Sequence, residues 1–337
     1  MHRVFRLCLV ACAVVAVRGH AQTAAASLAD ARSLMTQGRL TEALRELNTL
    51  ALQHPEPTGV ERLRGIVEYQ DGHLPEAEAA FARAVEQDPA DMESMQMQGV
   101  ALYRLGKPAE AIPLLEKAHA AGPVANADPH YVLALCYITT RRYDDARREL
   151  AAQYQFEPNS AAAWLVTARM LFRQELTEPA REAAKQAVQL DAHLPLAHRL
   201  LGEIDLAGGD AANAIVELEK ERAVNPLDGE TYDRLGDAYI RSGQYAQAQQ
   251  VLDRAVLLEP NATGPYILLG KTLLAEQDPA MATMYLQRAL EMDPSNSMTH
   301  MLLGRAFAAA GRKDDADREF AAVRRLQDTH APAGRNQ

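Results

Sequence analysis

The sequence predicts an all-α chain of antiparallel helix pairs stacked as a solenoid, and three observations predict it. The first is composition. The 337 residues are 48% hydrophobic but only 5% aromatic, rich in alanine and leucine with few β-branched runs, which favours helices and allows a large core. The second is a unit of 34 residues that recurs nearly end to end. The third is the apolar pattern inside that unit, which reads as two helix stripes broken by a turn.

The clearest copy of the unit runs from Gly229 to Ala262. Tyr232, Leu235, Gly236 and Tyr239 follow the i, i+3, i+4, i+7 spacing of one helix face. Arg241-Ser242-Gly243-Gln244 then interrupts the helix, with Gly243 suited to the left-handed residue that ends it. A second stripe passes through Ala248, Leu252 and Ala255, and Glu259-Pro260 stops it because proline lacks the next amide hydrogen. Gly236 and the alanines let the two helices approach closely, while Tyr232, Tyr239 and Leu252 fill the remaining gaps.

Counting Gly229 as position 1, position 8 is occupied along the chain by Ala31, Gly65, Gly99, Ala134, Ala168, Gly202, Gly236, Gly270 and Gly304, at intervals of 34 except for one of 35. Position 20 is alanine nine times, from Ala43 to Ala316. Position 24 is Leu47, Phe81, Leu115, Leu150, Ala184, Leu218, Leu252, Leu286 and Phe320, and position 32 is proline in seven of nine copies. With an aromatic at 4, Leu-Gly at 7 and 8, Tyr at 11, Ala at 20 and 27 and Pro at 32, the pattern resembles the tetratricopeptide repeat. The resemblance covers residues 24 to 330. It implies nine repeats, 24–57, 58–91, 92–126, 127–160, 161–194, 195–228, 229–262, 263–296 and 297–330, stacked as a right-handed superhelix.

Residues 1–21 differ from the rest. His2, Arg3 and Arg6 precede the apolar run Leu7 to Val17, and Gly19-His20-Ala21 reads as a small-x-small cleavage site, which together make a secretory signal peptide. At about eleven residues the run is shorter than the roughly 20 a membrane-spanning helix needs. The chain is therefore expected to be exported, periplasmic or secreted, without a membrane span. The alternative is a lipobox, Leu9-Val10-Ala11-Cys12, in which Cys12 would be lipidated and the protein held at the outer membrane. Against it, the apolar run before Cys12 is short and Ala13 to Val17 stays apolar.

After signal cleavage Cys136 would be the only cysteine, so no intrachain disulfide is expected and Cys136 reads as a packing residue. Arg3, Arg6 and Arg18 would leave with the signal, so that 32 basic residues face 45 acidic ones, a net charge of −13 against −10 for the whole chain. Such a surface repels a phosphate backbone, and nucleic acid is not an expected partner.

Departures from the repeat predict local differences. Asp30 in place of leucine weakens the first helix. Residues 122–128, which hold the extra residue, are expected to alter an inter-repeat angle. Pro108 suits a first helical turn, whereas Pro113 removes a hydrogen bond and predicts a kink. Asp278-Pro279 reads as a cap followed by a first turn. The fifth repeat has Ala192 where the stop proline belongs, which predicts a longer second helix. The tail THAPAGRNQ is too short and broken for an extra helix, and 331–337 are expected to be disordered. The last helix then caps the stack with Asp314, Asp315, Asp317, Arg318, Arg324 and Arg325; an open end used for homodimerisation is the alternative.

No room remains for a catalytic domain, and no enzyme is expected. His193 and His198 are five residues apart, not the four that align two metal ligands on a helix. No HExxH, GxSxG, CxxC or phosphate-cradling loop occurs, so no metal or cofactor is expected. Binding is different. Positions 2, 5, 9, 12 and 13 of each first helix face away from its partner helix, and in the superhelix the family resemblance implies, they line a concave groove. In the second to fifth repeats this face carries Ile66, Tyr69, Val100, Tyr103, Tyr131, Leu135, Ile138, Leu165 and Phe172, edged by Arg62, Arg104, Arg169, Arg173 and Arg199. Apolar and aromatic residues with arginines suit a protein or peptide segment and its carboxylates. The competing reading is that the position-12 residues belong to the core. Further on, Glu203, Glu230, Asp233, Asp237, Arg241 and Lys271 read as a charged, solvated face.

The expectation is a non-enzymatic exported scaffold within an envelope or secretion assembly. A lipid-anchored outer-membrane or pilus assembly factor, and an accessory subunit of a carbohydrate-active complex, are the alternatives. The family's carboxylate clamp for chaperone tails has no match in any three successive repeats.

Overall fold

The computed structural model describes residues 27–122 and 129–330, and among them every regular element is a helix. The chain divides into two compact units, residues 1–125 and 126–337. The first holds α1 (Leu28–Thr36), α2 (Leu40–Ala51), α3 (Val60–Asp71), α4 (Leu74–Gln87), α5 (Met92–Arg104) and α6 (Pro108–Ala120). The second holds α7 (Pro129–Thr139), α8 (Tyr143–Gln153), α9 (Ala161–Arg173), α10 (Thr177–Leu190), α11 (Ala197–Ala207), α12 (Ala211–Val224), α13 (Gly229–Arg241), α14 (Tyr245–Leu258), α15 (Thr263–Ala275), α16 (Pro279–Met292), α17 (Ser297–Ala309) and α18 (Lys313–His330). The all-α helix-pair solenoid expected from the repeat is the fold observed.

Small residues set the distance between paired helices. A Cβ added to Gly65 would stand 2.6 Å from the Phe81 ring, and one added to Gly202 would stand 2.5 Å from Leu218. Position 8 is therefore the point where the position-24 side chain of the second helix presses onto the backbone of the first. The position-20 alanines are buried beside it, and a larger side chain there would force the helices apart.

The turn between paired helices needs one residue in the left-handed region. Glycine supplies it at Gly38, Gly72, Gly106, Gly209, Gly243 and Gly311, but Arg141, Glu175 and Gln277 take the same conformation at φ of 61°, 59° and 64°. The repeat geometry thus imposes a backbone state that these three side chains disfavour.

Within each unit the second helix of one pair packs on the first helix of the next. First helices also touch their successors, α1 with α3 and α3 with α5 in one unit, and α9 through α17 in the other, whereas among the described residues no two second helices make a comparable contact. The first helices therefore line the inner side of each unit's curve.

Several local expectations are corrected. α10 ends at Leu190 without a proline, because Asp191 leaves the helix in an extended conformation and its carboxylate accepts from the His193 amide at 2.9 Å. α6 passes through Pro113 to Ala120. α18 runs on to His330, at 18 residues against 14 for α16, so part of the tail sequence extends the capping helix. Asp278 caps α16 as expected, accepting from the Met281 amide at 3.0 Å. The signal segment, Cys12, most of 122–128 and the tail from 331 lie outside the described residues. No helix among the described residues is long and apolar enough to cross a membrane.

Candidate functional site

The inner-face residues fall in both units and behave differently in each. In the first unit Ile66, Tyr69, Val100 and Tyr103 are half-buried and Arg104 is exposed. The Arg104 guanidinium lies 4.8 Å from the centroid of the Tyr69 ring, so a cation–π contact joins α3 to α5 on this face. Arg62 is not a spare cation. Its Nη1 reaches Asp91 at 3.2 Å and Glu93 at 3.3 Å, clasping α3 to the start of α5. Beside it lies a hollow of about 270 Å³ between Gly59, Gln87 and Met92.

In the second unit the candidates separate into surface and core. Tyr131 is 38% exposed, whereas Leu135 at 8% and Ile138 at 2% are buried. Both were expected on the groove and are buried instead, on a helix, α7, whose sequence is apolar on most of its faces. Leu165 and Phe172 are half-buried, and Arg169 and Arg173 are exposed. Arg199 is also corrected: it is 6% exposed, with Nη1 2.9 Å from Asp228 and 3.0 Å from Glu230. This repeats the Arg62 arrangement. An arginine at position 5, an aspartate 29 residues on and a glutamate 31 residues on form the same clasp in both units.

The charged face beyond Phe172 is solvated only in part: Arg241 and Lys271 are exposed as expected, whereas Glu203, Glu230, Asp233 and Asp237 are half-buried. Phe172, Leu206 and Ala207, with Glu203, Arg234, Asp237 and Arg241, line a hollow of about 330 Å³. Burial pushes the Glu203 carboxyl up, although Arg199 and Arg234 pull it down. Burial also pushes Asp233 up to about 6, opposed by Arg234 and reinforced by Asp237, Glu230 and Glu259. One of its carboxylate oxygens is buried without a hydrogen-bond partner among the described residues. Arg241 donates to the Leu206 carbonyl at 3.0 Å and pairs with Asp237 at 2.7 Å. A mixed hollow with an apolar floor can take a side chain and hydrogen-bond the chain that carries it.

His193 and His198 do not share a site. His193 is exposed, while His198 is buried with Nδ1 2.6 Å from Glu217. Cys136 is fully buried, and burial pushes its thiol up to about 12, so it packs rather than reacts.

Two tetratricopeptide-repeat family models match the chain, one over residues 28–92 and the other over 102–170 and 273–335. A model of the bacterial transcriptional activator domain matches residues 138–259. No curated protein matches. Similar solved structures include the MamA protein, at 18% identity over 54% of this chain and 99% of that one, with a TM-score of 0.48. YrrB, described as a TPR protein with an unusual peptide-binding site, is 20% identical over 56% of this chain and 95% of its own, with a TM-score of 0.48. The C-terminal part of a TPR repeat-containing protein from Cytophaga hutchinsonii is 19% identical over 70% of this chain and 96% of its own, also at 0.48. With the helix pairs, the position-8 contacts and the family matches in agreement, the chain belongs to the tetratricopeptide-repeat family.

Proposed function

We propose that the chain is a non-enzymatic scaffold that holds a protein or peptide segment against the inner faces of its first helices. The observation that carries this reading is the hollow of about 330 Å³ floored by Phe172, Leu206 and Ala207 and walled by Glu203, Arg234, Asp237 and Arg241. Apolar contact there would anchor a side chain, and the carboxylates and guanidinium groups would bind its backbone or neighbouring charges. In the first unit Tyr69, Tyr103 and Arg104 offer a second anchoring surface. Leu135, Ile138, Arg62 and Arg199 support these surfaces from behind or between helices rather than touching the ligand.

The first residues motivate the setting. A signal peptide over 1–21 would place the scaffold in the periplasm or outside the cell, in an envelope or secretion assembly, whereas lipidation of Cys12 would tether it to the outer membrane. Mass spectrometry of the mature N-terminus separates the two. The binding reading is tested by changing Tyr103, Tyr131 and Phe172 together to Ala and measuring partner capture from the native cell. Loss of specific partners with helical content unchanged is the expected result. Unchanged capture by a folded variant removes the inner-face assignment.

A further inference from the structure

The inner face changes sign between the seventh and eighth repeats. Position 9 of the first helix is acidic at Glu203 and Asp237 and basic at Lys271 and Arg305. The change extends to whole helices: α13 carries Glu230, Asp233 and Asp237, whereas neither α15 nor α17 contains an aspartate or a glutamate. A chain of net charge −10 thus presents two successive first helices without an acid.

Lys271 and Arg305 are both exposed. Neither side chain has an ion-pair or hydrogen-bond partner among the described residues. The acids of α13 do not answer Lys271, because Asp237 pairs with Arg241 at 2.7 Å and Asp233 lies against the start of α15, 3.4 Å from where a Cβ on Gly264 would stand. Since α15 and α17 pack side by side, with axes about 8–10 Å apart, the two cations face solvent as neighbours of like charge. Apolar surface adjoins them. Met298 and Met301 are 52% and 37% exposed at positions 2 and 5 of α17, and Ile267 is half-buried at position 5 of α15. Methionine side chains adapt to apolar partners of different shape.

We propose that the inner faces of α15 and α17 bind an acidic segment of a partner protein, with an apolar side chain seated on Met298, Met301 and Ile267 and carboxylates on Lys271 and Arg305. This rests on the scaffold reading above and names the chemistry of its ligand. Charge complementarity selects the occupant. Arg234 and Arg241 beside the hollow are already held by Glu203, Glu230 and Asp237, whereas Lys271 and Arg305 take a partner's carboxylates without breaking an internal pair, and a basic segment meets like charge there.

The full chain is titrated calorimetrically with acetylated, amidated peptides carrying DLFD, SLFS, DGSD or KLFK between Gly-Ser flanks. DLFD is expected to bind with a Kd below about 1 mM, and the other three at least about tenfold more weakly. K271E/R305E should weaken DLFD at least about tenfold with helical content unchanged, whereas K271R/R305K should stay within about threefold. If K271E/R305E loses helicity, K271Q/R305Q decides. A second probe carries benzoyl-phenylalanine in place of the phenylalanine of DLFD, and mass spectrometry locates its crosslinks, expected at Met298 and Met301. Crosslinks around Phe172 would overturn the proposal and leave the inner-face reading standing, while crosslinks confined to Met281 and Met284, 38% and 49% exposed on the second helix α16, would contradict both. No saturable binding of DLFD, equal binding of SLFS or KLFK, or undiminished binding by a folded K271E/R305E would each overturn the proposal. So would a dimer of the chain that K271E/R305E abolishes, which would make a second copy the occupant.

Discussion

The Nδ1 of His300 lies 2.6 Å from a carboxylate oxygen of Glu319, and its Nε2 lies 3.1 Å from the Pro294 carbonyl. The same pairing, 19 residues apart, joins His130 to Glu149 at 2.7 Å and His198 to Glu217 at 2.6 Å. In each case a histidine stands at position 4 of the first helix, where the fifth, seventh and eighth repeats carry Trp164, Tyr232 and Tyr266, and a glutamate at position 23 of the second answers it. A polar pair thus replaces an aromatic contact between the two helices of a repeat.

Glu217 gives this pairing a pH signature. Burial pushes its carboxyl up, but hydrogen bonds from His198 and Lys220 outweigh that and hold it below its usual value. A folded carboxyl lowered in this way stabilises the protein above the unfolded carboxyl range, and the benefit is lost as pH falls through the folded value. Glu217→Gln should therefore cost about 1–3 kcal/mol near neutrality and much less in acid, as read from denaturant midpoints across pH.

Asp233 predicts the opposite sign. Its carboxyl is raised to about 6, so the folded state binds a proton the unfolded state releases, and stability falls as pH rises through that window. Asp233→Asn should raise stability at pH above the window by up to about 3 kcal/mol, with a smaller gain in acid. Thermal melts of both proteins on either side of the window check it.

Gln277 is held at φ 64° in a turn where six other repeats use glycine. Removing its Cβ relieves the left-handed strain of about 1–2 kcal/mol, partly offset by a more flexible unfolded chain. Gln277→Gly should raise stability by about 1 kcal/mol, and Gly243→Gln should lower it, as measured by urea denaturation.

Arg199 tests the clasp. It is buried against Asp228 and Glu230, so Arg199→Ala leaves both carboxylates facing each other without their shared cation. A loss of about 3–5 kcal/mol is expected. Exposed Arg173→Ala should change stability by less than about 0.5 kcal/mol, and denaturant midpoints of the two variants give the comparison.

The helix pairs were readable because position 8, position 20 and position 24 act through contacts inside one repeat: Gly236 and Leu252 meet whatever the neighbouring repeats do. The candidate site was readable only in part. Tyr69, Tyr103 and Phe172 stand at inner-face positions by helical spacing alone. Leu135 and Ile138 hold equivalent positions yet are buried, because contacts between elements, not the angle within one helix, decide exposure. Arg62 and Arg199 share a signal that spacing could have revealed, an aspartate 29 and a glutamate 31 residues on. The burial of Asp233 had no such signal, since it depends on the next repeat, where a Cβ added to Gly264 would stand 3.4 Å from its carboxylate.

The measurement that bears most directly on the inner-face account is site-specific photo-crosslinking in the native cell. A benzoyl-phenylalanine placed at Phe172 faces the hollow, and one placed at Val216, 50% exposed on α12, faces away from it. The account predicts discrete crosslinked partners from position 172 and none of them from 216. Equal labelling from both positions, or partners captured only from 216, would contradict it.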